Sequence, residues 1–201
     1  MTTMTLEERY RILIDARNFH YDNFSKWMTY FYVAIGALFV GYCTILSSEK
    51  TQPMLEYLFP VLGFVVSLLW YWSAKGYYYW NINFINLVNY YEKDLLKFDE
   101  KERVYFVFAN KKIQNNYGSP ISGANISTSK IAILFAFIVT AFWGFIFYNK
   151  VFTDNFCNCC CSLLLQIILS LTTVLVLSYL IPISLLKSKH DHFPDLKLQI
   201  D

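Results

Sequence analysis

Four thiols fall within five residues, Cys157, Cys159, Cys160 and Cys161 in the run CNCCC. Thiols at this density suit a soft metal ion or disulfide exchange. Structural zinc sites, however, take their ligands from pairs spaced C-x₂₋₄-C, and no second pair accompanies this run. Adjacent cysteines also cannot join each other without strain. The simpler reading is a cysteine-rich loop at a membrane boundary, its thiols oxidised incidentally or between subunits. Cys43, by contrast, lies in an apolar run and reads as a small buried apolar side chain.

The remaining reactive residues do not assemble into a catalytic pattern. Glu92, Asp94, Asp99, Glu100 and Glu102 alternate with lysines and read as a solvated face. His190 and His192, in KHDHFPD, are spaced to touch a metal, but they sit in a short terminal tail. His20 falls on an apolar seam, where a hydrogen-bonded interfacial histidine is the expectation. No nucleophile set and no glycine-rich phosphate loop are evident. The sequence therefore predicts a non-enzyme with no cofactor and no metal. Asn23-Phe-Ser25 and Asn125-Ile-Ser127 match the glycosylation pattern, but both fall in segments expected to face the cytoplasm.

The composition explains what these residues are mounted on. Apolar residues make up 56% and charged residues 16%, against about 25% charged in an ordinary soluble chain. Runs at 27–46, 57–72, 131–148 and 162–186 contain no Lys, Arg, Asp or Glu. A span needs about 20 apolar residues, so four spans are predicted and the fold class is all-α. No basic stripe of the kind that reads nucleic acid is present. The expected partners are membrane lipids and further copies of the chain. The residues before the first span are amphipathic and acidic, and no cleavable leader is expected.

Five segments follow. Residues 1–26 predict an amphipathic helix, capped by Thr5 with Glu8. Residues 27–72 predict a hairpin of spans one and two, each with a pair of small residues for close approach, Ala37/Gly41 and Gly63/Ser67. Trp70, Tyr71 and Trp72 are placed at the membrane surface. The second span continues without a break signal towards Leu96, giving one helix of about 66 Å, half in lipid and half in water. Its aqueous half carries Tyr77, Phe84, Val88, Tyr91 and Leu95 in a heptad rhythm. The facing surface is predicted from Leu6, Tyr10 and Leu13. Within 73–130, Asp99 and Glu102 cap a short helix over KERVYFVFANKK, and a turn-rich connector leads on to span three.

Residues 131–186 predict the second hairpin. Span three has small residues every fourth position, Ala132, Ala136, Thr140 and Gly144. Span four has a thin polar stripe that includes Gln166 and Ser170, and Pro182 is expected to bend its end near Ser178. The small ridge and the Gln166–Ser170 stripe are expected to join subunits. Residues 187–201 form a tail. Fifteen of the 17 Lys and Arg residues lie in the termini and the 73–130 segment, which places both termini in the cytoplasm.

The runs WYWSAKGYYYWNINFINLVNYYEKDLL and GANISTSK give the chain its resemblance to the RipA-like octameric membrane proteins, small proteins of the bacterial inner membrane. The resemblance covers most of the chain. It implies a ring of eight copies needed for growth inside a host, with no known chemistry, and the expected role is a non-enzymatic scaffold or stress response at the membrane. CNCCC is not part of that pattern, and no functional residue carries over. The long hairpin also resembles two-span effector modules of bacterial nucleotide-signalling defence systems, which form pores. A gated pore is thus the alternative, and a membrane-embedded lipid-modifying enzyme a second one.

Overall fold

The computed structural model describes residues 4–49, 53–107, 117–118, 120, 123–124, 126–155 and 163–186. The chain is all-α, and four of its helices are long and apolar enough to span a membrane. Helix α1 (Leu6–Leu46) starts at the predicted cap. The Thr5 side chain accepts from the Glu8 N–H while the Glu8 carboxylate accepts from the Thr5 N–H, so two otherwise orphaned donors are satisfied.

Helix α2 (Pro53–Tyr90) runs on through a single π-turn, Tyr91–Leu95. Together they make 43 residues, about 65 Å of unbroken helix. The helix stops because Lys97 turns left-handed at φ 54°. The N–H groups of Leu96 and Phe98 then bond back to the carbonyls of Tyr91 and Glu92. Such a cap commonly uses glycine, and a lysine here carries a modest steric cost.

The expected helix over KERVYFVFANKK is corrected at its start. Asp99 and Glu102 do form a capping box, but around a 3-10 turn, Glu100–Glu102. Arg103 is extended, with its guanidinium on the Phe98 carbonyl. A separate short helix, α3 (Val104–Val107), follows.

Helices α4 (Thr128–Asn155) and α5 (Leu163–Ile181) form the second hairpin. Helix α5 is continuous through Ser178, and Pro182 starts a π-turn, Pro182–Leu186, while the Ser178 hydroxyl accepts from the Trp72 indole at 3.3 Å.

Packing ranks the helices. Helix α2 is central, with α1 along one side and α4 along another, and α5 packs on α4. No residue in the most apolar window of α1 is buried within the chain, so α1 is the most open of the four spans. Cys43 is exposed there, not buried as its type led one to expect. Trp70 is also corrected. It is fully buried, not a surface anchor, and its indole donates to the Met28 sulfur at 3.0 Å. Phe31 stacks on it, and Tyr32 and Phe135 meet it edge-on.

Candidate functional site

Two constellations organise the molecule. The first joins the apolar helices through small residues set against rings. A side chain at Gly63 would overlap the Trp143 ring, and one at Gly144 would overlap the Ser170 hydroxyl and crowd Phe64. Ala136 and Thr140 are fully buried, with the Thr140 hydroxyl donating to the Ala136 carbonyl at 2.7 Å. The ridge expected to meet a neighbouring subunit is thus enclosed within one chain. The polar stripe of α5 is its partner. Ser170 donates to the Ala141 carbonyl at 2.6 Å, and the Asn149 amide donates to Gln166 at 3.1 Å.

Ala132, at the open end of the ridge, is partly buried against the same core. The two small pairs of the first hairpin also divide differently from expectation. Gly41 faces Phe59 of α2, but Gly63 faces α4, and Ala37 is exposed. At the far end of these spans, Lys150 and Glu56 form an ion pair at 2.6 Å, with Lys150 over the Tyr57 ring.

The second constellation lies in the charged half, where α1 and α2 pair with the start of α3 beside them. Leu13 and Val88 are buried. His20 lies between the rings of Tyr77 and Phe84 at 5.0 and 5.2 Å, with Nε2 3.4 Å from the Tyr77 carbonyl. Tyr91 and Leu95 are half-buried at the π-turn, and Leu6 is exposed. The predicted seam therefore closes from Tyr10 inward and not at Leu6.

At its end sits a group that the sequence reading placed in solvent. Glu92 is fully buried. Its Oε1 accepts from the Tyr10 hydroxyl at 2.5 Å and from the Val104 N–H at 3.1 Å. One carboxylate thus ties the start of α1, the end of α2 and the start of α3. Burial, and next the hydrogen bond to Glu92, push the Tyr10 hydroxyl well above the ordinary phenol range, so it stays a donor. Among the described residues, Glu92 Oε2 is buried without a partner. Arg17 reaches the Tyr105 hydroxyl at 3.3 Å and lies over its ring, fastening α3 to the same flank of α1.

Nothing in the local sequence separates Glu92 from its solvated neighbours. The available signal was its place four residues after Val88 on the seam. Among the described residues, no three His, Cys, Asp or Glu side chains converge as a metal site. Cys157, Cys159, Cys160 and Cys161 lie outside the described residues.

A single helix thus runs from the apolar half into the layer tied by Glu92. No curated protein and no solved structure matches the chain. The family model for octameric membrane proteins matches residues 7–152, which take in α1, the whole of α2 with its π-turn, α3 and most of α4. The chain belongs to the octameric membrane protein family.

Proposed function

We propose that the protein is a non-enzymatic scaffold of the bacterial inner membrane, with both termini in the cytoplasm and a role in stress response and growth in a host. The observation that carries this reading is the continuity of α2. Its 43 residues, Pro53–Leu95, hold both the Trp143 contact at Gly63 in the apolar region and the Glu92 tie in the charged layer. Eight such rods, held in register, make a rigid platform attached to a membrane. The charge distribution supports the cytoplasmic placement, since 15 of 17 cationic residues lie on one side of the four spans.

The test is a deletion strain challenged with membrane stress and with growth in host cells. Complementation by the wild-type chain and failure with Val88→Asp, inserted but not assembled, is the expected result. A gated pore is the competing reading, because a ring of helices has an axis. Depolarisation on overexpression, or single-channel currents from the purified octamer in planar bilayers, would replace the scaffold with the pore.

A further inference from the structure

Among the described residues, the charged half of the hairpin is covered on one flank only. The segment containing Phe98 and Tyr105 lies over Tyr10 and Arg17 of α1. On the opposite flank, Ile12, Ala16 and Phe19 recur at four and three residues, a second seam beside the first. Ile12 is 53% exposed and Phe19 67%. They lie about 22 and 12 Å along the helix before Trp27, where the run free of charged residues begins. On α2, Ile82 and Tyr90 are exposed on faces turned away from the Val88 seam, with half-buried Asn86 between them.

A ring of eight has no two-fold contact between neighbours. Its interface is heterologous, so each subunit needs two different faces that match. Rotation about an axis normal to the membrane also keeps every residue at its own height. Heights can be read from contacts within the subunit. Tyr10 is level with Glu92, His20 with the stretch between Tyr77 and Phe84, and Met28 with Trp70. On this scale Ile12 is level with Tyr90, Ala16 with Asn86 and Phe19 with Ile82.

Exposed Glu8 and Arg9, four and three residues before Ile12, stand at the outer end of the α1 stripe, and exposed Lys93, three residues after Tyr90, continues the α2 face at their level, so the match rests on the apolar residues. The family match starts at residue 7 and includes both faces, but ends before α5.

The geometry points to a second copy of this chain as the occupant. The Ile12–Ala16–Phe19 stripe of one subunit docks on the Ile82–Asn86–Tyr90 face of the next, closing the octamer as a belt in the aqueous layer. The small-residue ridge of α4, enclosed within the chain, is not the joint.

Paired cysteines test this, placed in a variant whose five native cysteines are serine and which still runs as an octamer. Phe19→Cys with Ile82→Cys, and Ile12→Cys with Tyr90→Cys, should give a ladder of covalent oligomers on oxidation in membranes. Each single cysteine should give none, because a heterologous contact never brings a residue to its own copy. The level-matched control Asn18→Cys with Ile82→Cys should also stay monomeric. A ladder from the single variants, or one as strong from the control, overturns the assignment. So does an absent ladder from both test pairs.

A photo-crosslinker at Phe19 in the otherwise native chain gives an independent reading. Products at multiples of the subunit mass are expected, and adducts only to lipid or to another protein reject the proposal. Phe19→Asp should lower the particle size in mild detergent at unchanged helix content, and an intact octamer would likewise count against it.

Discussion

Helix α2 meets α4 in its apolar half and α1 along both halves, and its contact with α4 differs in kind from its contact with α1 in the charged half. Against α4 the rings of Trp70 and Tyr71 meet Phe135 and Phe137, and glycines set the closest approach. Gly63 admits the buried ring of Trp143, and Gly144 in return lets Ser170 of α5 and Phe64 of α2 close in. Against α1 it presents side chains, with Val88, Phe84 and Tyr77 facing Leu13, His20 and Phe24. The difference follows from the solvent. Lipid tails are as apolar as leucine, so large side chains gain little by leaving lipid, and close backbone approach decides the contact. In water the same apolar area is worth burying for itself.

The comparison is broken most severely at Gly63. Gly63→Leu forces a branched chain into space held by Trp143, and overpacking of this kind costs about 1–3 kcal/mol or more. The expected outcome is a chain that inserts but is cleared or runs as aggregate, scored by size-exclusion fluorescence beside protease sensitivity. Gly144→Leu combined with Ala136→Leu should behave the same way. A smaller but well-folded particle from that double variant would return the ridge to the subunit interface.

In the charged half, Val88→Asp places an unpaired charge on the seam, at a cost of about 2–7 kcal/mol for a buried polar group without a partner. Here the spans should stay intact while the aqueous hairpin opens. Hydrogen exchange should show it as lost protection confined to residues 6–26 and 73–95. Loss of protection throughout the spans would mean that the two contacts fold as one unit.

These two regions also differ in how far they could be read in advance. The heptad of Tyr77, Phe84 and Val88, the Thr5–Glu8 box and the unbroken α2 follow from spacing, because in water periodic burial and capping leave a local mark. Small residues every fourth position in α4 mark a close contact equally well, but spacing names the face and not the partner. Phe64 of α2 and Ser170 of α5 both close on Gly144, and nothing in the spacing singles out either. Glu92 was misread for another reason. A carboxylate among lysines signals solvent, and its burial arises only where Tyr10 and Val104 arrive from distant points of the chain. Arg103, similarly, breaks an otherwise helical run by bonding the Phe98 carbonyl.

Glu92 sharpens the comparison at intermediate size. Glu92→Ala leaves the Tyr10 hydroxyl and the Val104 N–H without an acceptor, roughly 1–3 kcal/mol for each buried group. Glu92→Gln keeps Oε1 as the acceptor for both donors and removes a buried charge, while its amide N–H₂ takes the place of the unpartnered Oε2. The alanine variant should lower the melting temperature of the octamer by several degrees and the glutamine variant by much less. Equal losses would mean that the charge itself, not the shared acceptor, holds the three segments.

The smallest expected effect is at Gly76, where α2 passes from its apolar to its charged half. Glycine within a helix is destabilising by roughly 0.5–1 kcal/mol relative to alanine, so its presence calls for a reason. At Gly63 the reason is Trp143. At Gly76 a side chain would meet nothing within 4 Å, and the backbone is not left-handed. Within a single subunit, Gly76→Ala should therefore be neutral or slightly stabilising. The informative readout is assembly. If helix content and thermal stability of the detergent-solubilised chain rise while the octamer persists, Gly76 is only a weak point in a long rod. If the chain gains stability but the octamer is lost, a neighbouring subunit approaches the helix at this position. The ring would then use, between subunits, the same close approach that Gly63 and Gly144 use within one.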